Sequence, residues 1–219
     1  MKFIWTLLIV SVCYLEFSFS DENKLSDKQK SLIAEPFRKA GENSVELRSA
    51  ISRLDPDRVE GLVFLIQYMP ERDLKSLSSD YLVENVNYAF KARDDSEWAK
   101  SVPKSIFFNN VLPYANINER RDQWRKDFYK RFSPLVKNCK SLEEAAQILN
   151  KEIWKIINVK YHARKRPKPD QSPYESIDAG FASCTGLSVI LIDACRAVGI
   201  PARFVGTPMW AKKRGNHSW

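Results

Sequence analysis

The 219-residue chain holds only two histidines, four cysteines and seven glycines. Two histidines leave His162 and His217 as the whole choice for imidazole chemistry. Neither a C-x-x-C nor an H-x-x-x-H pair occurs, so the clustered ligand spacing of a zinc site is missing and neither metal nor cofactor is expected. No segment is low in complexity and no repeat recurs. With 44% hydrophobic and 28% charged residues, the composition is that of a folded globular protein rather than a disordered one. After the first twenty residues no apolar run approaches the roughly 20 residues that a spanning helix needs, so stable membrane insertion is not expected. The net charge of +8 comes with no nucleic-acid-binding motif, and charge alone does not imply a nucleic-acid partner.

What is present begins with MKFIWTLLIVSVCYLEFSFSDENK. Lys2 precedes an apolar run from Phe3 to Leu15, and Ser18 and Ser20 form a small-x-small step before Asp21. This is the layout of a secretory signal peptide over residues 1–20, which implies export to the periplasm, cell envelope or exterior. A membrane anchor is the competing reading, and the shortness of the run counts against it. Removing the leader takes Lys2 and Glu16 together, so +8 survives, and Cys139, Cys184 and Cys195 remain. An odd count in an exported protein leaves at least one thiol free or bonded to another molecule. Cys195 sits within an apolar helical pattern and reads as a small core residue. Two basic clusters stand out, HARKRPKP at 162–169 and AKKR at 211–214. They read as solvated loops or as an attraction for an anionic substrate or envelope surface.

Residues 21–135 read as a helical region. Asp55 and Pro56 have the form of an N-cap and first helical position, and Leu82, Val86 and Phe90 recur at four-residue spacing. A further amphipathic run is expected over Asn118 to Phe132, with Trp124, Phe128 and Phe132 on one face. Around Pro134 the chain changes character, and 136–219 reads as a second domain. Ser141 and Glu144 form a capping-box pattern ahead of Leu142, Ala145, Leu149, Ile153 and Ile156. The stretch from Arg164 to Pro173 is expected to be loop. A second helix begins near Cys184, carries Leu187, Leu191, Ala194 and Val198, and stops at Gly199 and Pro201. Ala202 to Gly206 and His217 to Trp219 are strand candidates.

A thiol at a helix N-terminus has the means to act as a nucleophile: the helix end favours the thiolate, and unsatisfied first-turn N–H groups can hold an oxyanion. A histidine alongside supplies the base and returns the proton to the leaving group. His217, after a glycine and on a strand, suits that role better than His162, which lies among arginines and lysines that discourage its protonated form.

Gly180, Cys184, Arg196, the run GIPARFVG from Gly199 to Gly206, and Asn216-His217-Ser218-Trp219 together resemble the core of the transglutaminase-like superfamily. This papain-related group includes cross-linking transglutaminases, peptide N-glycanases, bacterial cysteine peptidases and inactive members. The resemblance implies an α+β, papain-like fold: a Cys-bearing helix packed on a small antiparallel sheet, preceded here by the helical region. It assigns Cys184 as nucleophile and His217 as general base, acting on a peptide or glutamine carbonyl with water or an amine as acceptor. Upstream, FFNNVLPYANINERRDQW is similar in outline to extensions on bacterial members. The third member of the triad, an Asp or Asn on a later strand, has no matching position before Trp219, so the C-terminal strands are expected to be missing and the chain to be truncated after the His. Asp193, nine residues beyond Cys184, should face the far side of the helix at about 100° per residue. Asn110 and Gln171 are the upstream candidates for a second oxyanion donor. A non-catalytic domain that holds a peptide or anionic ligand on the same fold is the alternative.

Overall fold

The computed structural model describes residues 24–219; the leader expected over 1–20 lies outside the described residues. The chain packs as two units, one ending at Val86 and the other running from Asn87 to Trp219.

The first unit is helical. Helix α1 (Asp27–Ala40) opens with a capping box in which Ser26 Oγ accepts from the Gln29 N–H at 3.3 Å and Gln29 Oε1 accepts from the Ser26 N–H at 2.8 Å. Helices α2 (Ser44–Arg53), α3 (Pro56–Tyr68) and α4 (Glu71–Leu74) follow, with Pro56 at the first helical position as its fixed φ favours. Helix α5 (Ser79–Asp94) begins here, its Ser79 N–H donating to Glu46 Oε2 at 2.6 Å. Leu47, Ile51, Leu62, Ile66, Leu74 and Leu82 close the core of this unit.

The second unit contains α6 (Glu97–Lys100), α7 (Lys104–Asn110), α8 (Arg125–Val136), α9 (Leu142–Ile157), β1 (Lys160–Tyr161), α10 (Pro173–Ala179), β2 (Phe181–Ala182), α11 (Cys184–Ala197), β3 (Gly206–Thr207) and β4 (His217–Ser218). The class is α+β, predominantly helical with two small sheets. β1 and β2 pair in parallel, with Lys160 opposite Phe181; β3 and β4 pair antiparallel, with Gly206 opposite Ser218 and Thr207 opposite His217. Phe128 and Phe132 of α8, Leu149 and Ile153 of α9, and Ile190 and Ala194 of α11 meet in one core with Trp98 and Trp124. Truncating one of these phenyl rings to Ala is expected to cost about 3–5 kcal/mol. Helix α11 is buried on nearly every side from Ser188 to Ala197, which makes it the central element of the unit.

Local structure departs from the sequence pattern in four places. The helix expected from Asn118 starts only at Arg125, because Glu119 accepts from the Asn116 and Ile117 N–H groups at 2.6 and 2.8 Å and holds that stretch irregular. Pro134 lies inside α8 rather than at a boundary; it removes one backbone donor in the last turn, where the helix tolerates it. Pro173 opens α10 instead of belonging to a loop: Ser172 Oγ accepts from the Glu175 N–H at 3.3 Å and Glu175 Oε2 accepts from the Ser172 N–H at 2.8 Å. The strand expected over Ala202–Gly206 is reduced to Gly206–Thr207. In α9 the Ser141 cap is present at 3.2 Å, while Glu144 returns its bond to the Lys140 N–H.

Candidate active site

Cys184 is the first residue of α11 and is half-buried. It is delivered there by β2, which is pinned to the preceding strand by bonds from the Lys160 N–H to Gly180 O at 3.0 Å and from the His162 N–H to Ala182 O at 2.8 Å. Gly180 makes the turn from α10 into β2 with φ of 72°, a left-handed conformation that glycine adopts without strain. Gly186 is required by space: a Cβ there would lie 2.8 Å from Ala182 Cβ and 3.1 Å from Ser176 Oγ. This close approach seats the first turn of α11 against β2 and α10. Its first helical bond runs from the Leu187 N–H to Ser183 O at 3.0 Å. The N–H groups of Cys184, Thr185 and Gly186 precede that bond and have no acceptor among the described residues.

The serine at the N-cap would ordinarily accept one of them. Ser141 and Ser172 do so on α9 and α10. Ser183 does not: its Oγ accepts instead from Arg166 Nη1 at 2.9 Å, which folds the basic loop over the Cys184 end of the helix. His162 shapes the same loop, its Nδ1 accepting from the Arg164 and Lys165 N–H groups at 3.1 and 3.0 Å. That commits the ring nitrogen to the loop backbone.

His217 arrives on β4, one residue before Ser218, whose Oγ shares a 3.3 Å hydrogen bond with Thr185 Oγ1. The strand therefore crosses the first turn of α11. Alternation along the strand puts the His217 ring on the face opposite Ser218. There it packs with Trp210, ring centroids 6.1 Å apart, and Trp219, 5.5 Å apart. The hairpin is held at its base by paired Val205 and Trp219 backbone bonds of 2.9 Å. The two elements meet, while the Cys184 thiol and the His217 ring share no hydrogen bond among the described residues. Residues 130–219 match the family model of the transglutaminase-like superfamily, a span that starts within α8 and includes both strand pairs and α11. This part of the chain is similar to a transglutaminase-like core. No curated protein and no solved structure matches the chain.

At the far end of α11 the arginine of the R-A-V-G-I-P-A-R run holds the chain together. Arg196 is buried and donates from Nε to Ala202 O at 3.0 Å and from Nη1 to Pro113 O at 3.3 Å and Ala115 O at 2.9 Å. Arg125 Nη1 donates to Arg196 O at 3.1 Å, and its Nη2 gathers the carbonyls of Val111, Leu112 and Pro113. The Ala202 N–H bonds to Asn110 O at 2.9 Å, so the segment leading to β3 is gripped on both sides. Asp193 is fully buried here, accepting from Asn116 Nδ2 at 2.9 Å, and burial pushes its carboxyl well above the usual carboxylate range. It serves the far end, away from Cys184. The FFNNVLPYANINERRDQW stretch thus acts as a clasp on the core.

Other candidates fall away from the thiol chemistry. Gln171 is fully buried with Nε2 donating to Phe181 O at 3.2 Å, and Asn110 Nδ2 donates to Ile106 O at 3.2 Å, so both amides are engaged locally. The described cysteines are all free. Burial pushes the Cys195 thiol up to about 12 and also raises Cys139, with Glu144 adding to the latter. A cleft of about 490 Å³ lined by Lys91, Asp95, Trp98, Tyr129 and Ser133 contains neither Cys184 nor His217. Within it Tyr129 donates to Asp95, and Lys91 Nζ lies 3.3 Å from Asp95. Among the described residues no helix is long and apolar enough to cross a membrane.

Proposed function

We propose that the chain is an exported cysteine-dependent acyl-transfer protein in which Cys184 is the nucleophile and His217 the general base. The observation that carries this reading is the Thr185–Ser218 bond, which sets the His217 strand across a helix turn whose N–H groups are free. The His217 ring takes the Cys184 proton, and Sγ attacks a peptide or glutamine carbonyl carbon. The oxyanion is held by the first-turn N–H groups of α11. Collapse breaks the C–N bond, the imidazolium hands its proton to the departing amine or ammonia, and a thioester remains. Water or an amine then adds to the thioester carbon, giving up a proton to His217; collapse breaks the C–S bond, releases the acid or the new amide, and the imidazolium returns its proton to the sulfur. Because Ser218 faces α11 and the His217 ring lies on the other face of β4 against Trp210 and Trp219, this reading requires the strand to re-seat and turn the ring toward Cys184 when substrate binds.

A ligand-binding role without chemistry is favoured by one observation, the packing of the His217 ring with Trp210 and Trp219. Intact-mass spectrometry separates the two. Incubation with a glutaminyl peptide followed by acid quench should reveal an acyl adduct on the wild-type chain and none on Cys184→Ala. Addition of hydroxylamine should release a hydroxamate. Absence of adduct and of hydroxamate across glutaminyl and ordinary peptides would favour the binding role.

A further inference from the structure

The charge around this end of α11 is mainly positive, with Asp170 the single acidic residue of the 162–171 stretch. Arg166 is half-buried and spends one N–H donor on Ser183 Oγ, and among the described residues it has no carboxylate partner. The nearby Glu175 is already taken by Lys168 at 2.9 Å. Arg164 and Lys165 in the same loop are exposed and unpaired, as are Lys212, Lys213 and Arg214 in the β3–β4 hairpin that carries His217. A guanidinium keeps further donors in a planar fork matched to a carboxylate, and a partly buried positive charge without a counter-ion is costly until an anion arrives. Two basic loops in one unit add long-range attraction for an anion.

We propose that the site takes carboxylate-bearing peptides, and that Arg166 is the specificity residue that binds the carboxylate beside the attacked carbonyl. This rests on the acyl-transfer reading for the role of Cys184, but its test reads binding alone. A peptide is the fitting occupant because one fixed fork beside a nucleophile selects a single carboxylate near a carbonyl. A polyanion would instead call for a charged track.

The experiment measures fluorescence anisotropy on the full chain bearing Cys184→Ala, at low and moderate salt. Three labelled glutaminyl peptides are compared: a neutral one with an amidated C-terminus, the same with a glutamate beside the glutamine, and the neutral one with a free C-terminal carboxylate. At least one carboxylate peptide should bind about ten-fold or more tightly than the neutral peptide, as a charge-assisted bond implies. The glutamate and free-acid arms identify whether a side-chain or a terminal carboxylate is read. Adding Arg166→Gln should remove the preference, Arg166→Lys should keep part of it, and Lys151→Gln, which removes an exposed charge elsewhere, should leave it intact. Equal binding of all three peptides would overturn the proposal. So would an Arg166→Gln effect equal on neutral and acidic peptides, which would make the residue only an anchor for the loop. Binding of oligothymidylate as tightly as the acidic peptide would overturn it too. A chain that passes this test yet forms no acyl adduct would keep the carboxylate site and lose the acyl-transfer function.

Discussion

The two ends of helix α11 treat polar groups in opposite ways. At the far end, Arg196 and Arg125 are buried, and between them they hold backbone carbonyls from the 111–115 segment and Ala202. At the near end, among the described residues, the N–H groups of Cys184, Thr185 and Gly186 have no acceptor and Arg166 has no carboxylate partner, although a serine stands at the cap position. A satisfied buried charge fixes geometry. An unsatisfied donor at a half-exposed helix end is free for a ligand. The contrast separates residues that build the transglutaminase-like core from those that would act in it, even though both kinds are polar and lie on one helix.

The largest effect is expected from attacking the built end. Arg196→Met leaves the Ala202 and Ala115 carbonyls without their donor and takes from Asp193 the stronger of its two positive neighbours. Urea denaturation should report a loss of about 3–5 kcal/mol. Cys184→Ala, at the open end, should shift stability by no more than about 0.5 kcal/mol while abolishing the acyl adduct. If the two variants were equally destabilised, the division between the ends would collapse.

The next effect tests how the open end is seated. Gly186→Ala forces a Cβ to within 2.8 Å of Ala182 Cβ, and overpacking of this kind costs about 1–3 kcal/mol. Thermal melting should register it, and adduct formation should slow because the Cys184 turn shifts with it. A neutral result would show that β2 yields more easily than the contact implies.

A smaller effect is expected at the hinge between helix and hairpin. Thr185→Val and Ser218→Ala each remove one partner of the 3.3 Å bond, and a double-mutant cycle should give a coupling of about 0.5–1.5 kcal/mol. The adduct rate should fall in both single variants, since each loosens β4 over the first turn. Additive stability effects would mean that the bond is incidental.

Much of this was legible in the sequence, for identifiable reasons. Helix α11 could be read because its apolar run is closed by Gly199 and Pro201, and α9 because Ser141 precedes an apolar spacing of three and four residues. The Cys184 position at a helix start followed from the same pattern. Helix α10 was hidden because the prolines around it read as loop, although S-P-Y-E carries both a capping box and a proline at the first helical position. The late start of α8 was illegible because Glu119 turns back on its own backbone, a choice that apolar spacing does not record. The docking of Arg166 on Ser183 joins residues seventeen apart, and the clasp of Arg196 on Ala115 joins residues 81 apart. Composition showed the basic run as charge, and only the fold distinguishes the arginine that is anchored from its solvated neighbours.

The central claim is that Cys184 is the reactive thiol among the described cysteines and that His217 serves as its base. Site-resolved alkylation with iodoacetamide, followed by peptide mass spectrometry from pH 6 to 9, tests it most directly. Cys195, with its thiol pushed up to about 12, should stay unmodified throughout, because at these pH values almost none of it is thiolate. Cys139, also raised, should react slowly and only toward the upper end of the range. Cys184 should be modified first at every pH, and His217→Ala should slow it without changing the other two. Labelling of Cys184 no faster than that of Cys139, and unaltered by His217→Ala, would contradict the account.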